Sequence, residues 1–234
     1  MALIGKGVLA IWNGIAPEVE DDFVAWHVRE HIPERVGLPG FLRGRRYVAV
    51  DGVPKYFNFY ETDAVDDLSS AAYMTRLNAP TEWTRKVVAH FADTSRTICE
   101  VAWTLGCGEG GWIDAIQLDD SLASLDFHEK MRASVTPAFE AIPGLVGAHL
   151  LEGRRLSAQP DTAEKELRGG VDKVAPWILL VEASRPESLA AFRDGAGSNA
   201  ALARSCGSEP ISRGIYQLQF ALTKAELVGS QRGN

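Results

Sequence analysis

Cysteine is scarce. The three residues Cys99, Cys107 and Cys206 are odd in number and lack a C-x-x-C spacing, which argues against a disulfide framework or a cysteine-built zinc site and points to a reducing compartment. Long hydrophobic runs are missing too. No stretch approaches the ~20 apolar residues that span a bilayer, and the opening Met1-Ala2-Leu3-Ile4-Gly5-Lys6-Gly7 lacks a basic region followed by an apolar one. The expectation is a cytoplasmic protein with no membrane partner. Positive charge is not in excess: the net charge is −7, and the basic residues are scattered apart from Arg43, Arg45 and Arg46. Nucleic acid is therefore not an expected partner. No G-x-G-x-x-G follows a strand-like run, and neither a Walker loop nor a G-x-S-x-G elbow occurs, so Rossmann-type cofactors, nucleotide phosphates and a serine-hydrolase nucleophile lack support.

What is present is a repeat. Leu38-Pro39-Gly40-Phe41 returns as Ile142-Pro143-Gly144-Leu145, 104 residues on, and the same offset carries Phe23 onto Phe127 and Pro33 onto Pro137. Alternation and helical spacing agree with that register. Strands are predicted near 6–13, 43–50, 55–61 and 96–105, then 112–118, 145–152, 176–182 and 213–222. Helices are predicted near 18–36 and 66–91, the second broken at Asn78-Ala79-Pro80 with Thr81 capping a new start, then near 123–141 and 186–204. This is α+β, two fused ferredoxin-like βαββαβ units, 1–107 and 108–234, whose antiparallel sheets pair to cover their bare faces as a pseudo-dimeric α+β barrel. A polar insertion near 157–175 is either a lid or a disordered loop.

On the first helix Val19, Phe23, Trp26, His27, Glu30, His31 and Glu34 fall within an arc of about 140°. Buried imidazoles and carboxylates persist when they satisfy one another or serve chemistry. The second copy has Met131, Ser134, Val135 and Ala138 in place of His27, Glu30, His31 and Glu34. The fold does not need the polar set, and chemistry is expected in the first copy. Pro33 is expected to bend the helix just after His31.

The run Trp26-His27-Val28-Arg29-Glu30-His31-Ile32-Pro33-Glu34-Arg35, followed by Leu38-Pro39-Gly40-Phe41, resembles the EthD-like branch of the dimeric α+β barrel superfamily. The likeness extends through Pro54-Lys55-Tyr56 and Tyr60-Glu61 to Pro80-Thr81-Glu82-Trp83-Thr84. It implies a barrel of two ferredoxin-like units, here in one chain. The superfamily includes isomerases, cyclases, cofactor-independent monooxygenases and haem enzymes, so reaction class stays open.

The leading expectation is a lyase or isomerase that needs no cofactor and works by acid/base chemistry on a small aromatic, lactone or polyketide-like substrate. His31 would titrate near neutral pH and move the proton, Glu30 or Glu61 would orient it, and Tyr60 would bind a substrate oxygen. Asn13, Trp12, Trp26, His27, Asn58, Tyr56, Trp83 and Arg45 are the expected substrate-binding residues. The alternatives are an oxygenase of the same fold, either cofactor-independent or haem-type with His31 or His90 as axial ligand, and a non-catalytic small-molecule binding protein. His27-Val28-Arg29-Glu30-His31 matches H-x-x-E-H, but the nearby proline and the lack of an evident third ligand argue against a metal site. A homodimer of the fused chain is left open.

Overall fold

The computed structural model describes residues 3–119, 127–154, 161–169, 172–207 and 209–232. Eight strands close into one barrel: β1 (Gly7–Ile15), β2 (Phe41–Asp51), β3 (Tyr56–Thr62), β4 (Phe91–Gly106), β5 (Trp112–Leu118), β6 (Leu145–Gly153), β7 (Trp177–Ala183) and β8 (Ser212–Thr223). Their order around the barrel is β1-β3-β2-β8-β5-β7-β6-β4, antiparallel throughout. Each βαββαβ unit supplies four neighbouring strands, and the seams are β2 with β8 and β4 with β6. Closure leaves no free sheet edge.

The helices lie outside this wall. The first unit carries α1 (Glu20–Trp26), α2 (Ile32–Gly37), α3 (Ala71–Asn78) and α4 (Glu82–Val88), the last capped by Thr81, whose hydroxyl accepts from Thr84 N at 2.9 Å. The second carries α5 (Phe127–Ala141), α6 (Ala163–Arg168), α7 (Pro186–Asp194), α8 (Asn199–Cys206) and α9 (Lys224–Arg232). The expected start of α5 at 123 falls outside the described residues. Strands β3 and β7 are buried at every position, as strands must be when one face lines a packed lumen and the other lies under helices.

The Pro-Gly repeat has a backbone cause. Gly40 (φ +79°) and Gly144 (φ +89°) both take a left-handed conformation just before β2 and β6, and a Cβ on Gly40 would lie 2.2 Å from the Asp67 carboxyl carbon. Two expectations need correcting. Strand β4 begins at Phe91 rather than near 96, because Phe91 and Ala92 pair with Ile15 and Gly14 beyond a bulge. The helix expected over 186–204 is split into α7 and α8 at Gly195-Ala196-Gly197, where glycine makes continuation costly.

One apolar cluster draws on all eight strands and no helix, with Trp12, Tyr47, Phe57, Ile113 and Tyr216 among its members. It fills the lumen. A second cluster joins β5, β6 and β7 to α5, α7 and α8. The equivalent layer of the first unit is divided between two clusters, one around Tyr60, Tyr73 and Leu77 and one around Phe23 and Trp26.

Candidate functional site

Between α1 and α2 the chain makes a π-helical turn, His27–His31, in which Ile32 N–H reaches back to the His27 carbonyl. Proline at 33 cannot donate to the Arg29 carbonyl, and the longer-range turn accommodates that gap. The distortion therefore includes His31 instead of following it, as the sequence suggested. A π turn sets residues four apart almost in line along the axis. The His27 and His31 rings accordingly stack at 5.4 Å and 27°, with Trp26 packed 4.3 Å from the His31 ring.

Both imidazoles are buried, and their Nδ1 atoms lack hydrogen-bond partners. The Tyr60 hydroxyl lies 3.3 Å from His27 Nε2, while His31 makes no hydrogen bond among the described residues. Burial first, then the charges of Arg46 and Arg35, hold His27 well below the ordinary histidine pKa. Burial and then Arg35, His27, Arg168 and Arg76 do the same for His31. Neither titrates near neutrality, contrary to expectation. Burial also pushes the Tyr60 phenol up, so it keeps its proton and serves as a donor.

His31 opens onto an internal cavity of about 40 Å³. Trp26, Tyr60, Tyr73 and Leu77 form part of its wall, as do Phe91 and Thr94 at the start of β4. Its charged lining is Arg35, Arg96, Glu164 and Arg168. A second space of about 50 Å³ adjoins across Leu77, Arg96 and Arg168. The cover is α6, from the insertion in the second unit. Glu164 pairs with buried Arg35, Ala163 N donates to Asn78 Oδ1 at 3.2 Å, and Arg168 bonds Asp172 at 2.8 Å. Of the expected insertion, 157–160, 170 and 171 lie outside the described residues.

Among the expected site residues, His31, Trp26 and Tyr60 line this cavity, and His27 stands behind them. Glu30 does not orient His31: its carboxylate accepts from Thr81 Oγ1 at 2.5 Å and Thr84 Oγ1 at 3.2 Å. Thr84 in turn accepts from Trp26 Nε1 at 3.2 Å, so Glu30 acts through Thr84 on the indole. Glu61 and Arg45 lie on the lumen face, because strand alternation turns them away from Tyr60 and Arg46. Glu61 pairs with Arg43 at 2.6 Å, and Arg45 lies over Phe59 while bonding Glu61 and Glu182.

Trp12 faces the lumen and stacks on Phe57 at 4.4 Å. Tyr56 bonds Glu20, Asn58 bonds Asn13 at 3.0 Å, and Trp83 bonds Asp22 at 2.9 Å; none of these four lines the His31 cavity. His90 is exposed at the end of α4. Arg35, Tyr73, Arg96, Glu164 and Arg168 were missed as site residues. Alternation of Thr94, Arg96 and Ile98 on β4 could have found Arg96, whereas nothing in the repeat announces a contribution from the second unit's insertion. Among the described residues no group of three or more His, Cys, Asp or Glu could hold a metal ion, and no helix is long and apolar enough to cross a membrane.

In the second unit Met131 and Val135, at the positions of His27 and His31, are buried in an apolar cluster with Trp177, Leu189 and Phe192.

No family model matches the chain, and no curated protein does either. Solved structures match over nearly the whole length. An anthrone oxidase-like protein superposes with TM-score 0.63 at 16% identity, covering 97% of this chain and 97% of that one. A monooxygenase candidate from Fusobacterium nucleatum subsp. nucleatum gives 0.59 at 10%, covering 95% and 96%. A mutant chlorite dismutase from Candidatus Nitrospira defluvii gives 0.54 at 9%, covering 97% and 95%. The likeness establishes the dimeric α+β barrel fold.

Proposed function

We propose that this protein is an oxygenase of the dimeric α+β barrel fold that uses His31 as a base on a small, acidic aromatic substrate and needs no bound cofactor. The observation that carries the reading is an uncharged, unpaired imidazole facing a cavity lined by Arg35, Arg96 and Arg168. Such a base is weak. It suits a substrate whose C–H or O–H is already acidic, and the guanidinium groups favour the resulting anion electrostatically.

For a doubly benzylic methylene the overall change is R₂CH₂ + O₂ → R₂C=O + H₂O. His31 takes one methylene proton, and the carbanion gives electrons to O₂ as a C–O bond forms. Loss of the second methylene proton with O–O cleavage leaves the ketone and releases water. Carbon is oxidised and oxygen reduced, and no further reductant is required. Neighbours named as anthrone oxidase-like and monooxygenase support this reading over the lyase or isomerase expected at first. The Glu30-His31-Ile32-Pro33-Glu34-Arg35 run supports placing the chain near the EthD-like branch.

The residues fit haem poorly. A porphyrin needs an apolar slot of several hundred Å³, whereas His31 opens onto about 40 Å³ among charged side chains and His90 is on the surface. The present space holds a water or two. An aromatic ring would reach His31 only with α6 displaced, since that helix supplies Glu164 and Arg168 to the wall; Arg35 and Arg96, which lie outside α6, would stay beside it.

The test is oxygen uptake with anthrone as substrate, run beside an anaerobic control. The expected result is O₂-dependent ketone formation, reduced on the order of 10²–10⁴-fold by His31→Ala. Turnover without oxygen, or an unchanged rate in His31→Ala, would sink the proposal.

A further inference from the structure

A second, larger hollow sits at the end of the barrel where β2 turns into β3 and where β4, β7 and β8 begin. It measures about 570 Å³, within the range of small-molecule pockets and far larger than the space at His31. Its floor has a specific polar group. On β5, Ile113 and Ala115 point into the apolar lumen, and Gln117 follows on the same face where that packing ends. Gln117 is only 7% exposed, and its carboxamide has no hydrogen-bond partner among the described residues. With no protein partner, the carboxamide is left to solvent in the hollow, where a ligand can take up both its donor and its acceptor.

The rim gathers exposed large aliphatic side chains. Val53, Val174 and Ile211 are 78%, 56% and 56% exposed, three of the six large hydrophobic residues exposed among the described residues, and all three border this hollow. Asp93 and Lys173 place one charge of each sign at the edge, so the site has no net charge preference. Asp93 also holds a left-handed backbone (φ +50°) beside the β4 bulge, a conformation Asp tolerates better than most residues. Strand β4 separates the two spaces: Phe91 and Thr94 face the His31 cavity, and Asp93 and Ser95 face the hollow.

We infer that this barrel-end hollow is a second binding site, distinct from the His31 cavity, for an uncharged, largely apolar small molecule carrying a ketone or hydroxyl oxygen. Its apolar body lies against Val53, Val174 and Ile211, and the oxygen meets the Gln117 carboxamide, which can both donate and accept.

The probe is prodan, a neutral keto-naphthalene whose emission moves to the blue in apolar surroundings, titrated into the full chain. One equivalent binds, Gln117→Leu weakens it about fivefold through the lost hydrogen bond, and surface variant Val174→Asp weakens it at least tenfold while far-UV circular dichroism is unchanged. His31→Ala and Trp26→Ala leave the affinity as it was. The proposal falls if His31→Ala or Trp26→Ala displaces the probe, if neither Gln117→Leu nor Val174→Asp affects it, or if anionic anilinonaphthalene sulfonate binds as tightly as prodan.

Discussion

His31 gains its character from what surrounds it, not from a hydrogen-bonded partner. Because burial and neighbouring arginines lower its pKa, the base form is present throughout neutral pH. The profile of kcat/KM against pH is expected to be flat around pH 7 and to fall only at acid pH, below the usual histidine range. A limb centred near 6.5 would contradict the assigned environment. Stability carries the same sign. The unfolded chain binds protons on His27 and His31 below about pH 6.5, while the folded chain resists them. Each imidazole therefore costs up to about 1.4 kcal/mol per pH unit as pH falls below that value, until its folded-state pKa is reached. Urea unfolding at pH 7 and pH 5.5 measures it. Thr84 matters for a different reason, since it links Trp26 to Glu30. Thr84→Val should destabilise by about 1–3 kcal/mol and lower turnover by loosening the indole against His31, with the denaturation midpoint and kcat read on the same variant.

At the scale of elements, the distinguishing feature is that α6 of the second unit covers the cavity of the first. Its hold includes one ion pair, Arg35 with Glu164, both almost wholly buried, beside the Ala163–Asn78 bond and Leu167 packed on the Phe23–Trp26 cluster. Glu164→Ala leaves Arg35 bonded to Glu34 alone. Breaking a buried pair from one side costs about 3–5 kcal/mol, and much of that is expected as local loosening of α6. Amide exchange over 163–168 should accelerate while the barrel strands stay protected. Unchanged protection of α6 would show that the ion pair does not hold the cover. The split of α7 from α8 and the π turn at His27–His31 arise at this same scale, from backbone donors and glycines whose effect depends on the packing around them.

For the whole molecule, the lumen holds a charge network that ties the two units together. Arg45 on β2 bonds Glu61 of its own unit and Glu182 on β7 of the other. Burial opposes ionisation of Glu182, yet Arg45 and His149 overcome it and hold its carboxyl down to about 2. Arg45→Ala removes the arginine from buried Glu182 while Glu61 keeps Arg43, and should cost about 3–5 kcal/mol, whereas Arg45→Met combined with Glu182→Met should recover part of that loss. Equilibrium unfolding of the two variants tests the coupling. Since β2–β8 and β4–β6 close one barrel, a single cooperative transition is expected for the chain.

Much of this architecture was legible in the linear chain. Strand alternation and the 104-residue offset report local periodicity and turn geometry, and the left-handed glycines at 40 and 144 impose those turns wherever the rest of the chain goes. The contrast of His27 and His31 with Met131 and Val135 likewise marks the polar face in the sequence itself. Alternation also placed Tyr60 and Glu61 on opposite faces, but not which face meets His31. Only the closed barrel decided that Glu61, Arg45 and Trp12 belong to the lumen, that Glu30 turns to Thr81 and Thr84, and that Glu164 and Arg168 complete a cavity more than a hundred residues away. Local sequence determines φ, ψ and side-chain periodicity because those depend on neighbours along the chain. Partners across a barrel depend on closure, which is a property of all eight strands together.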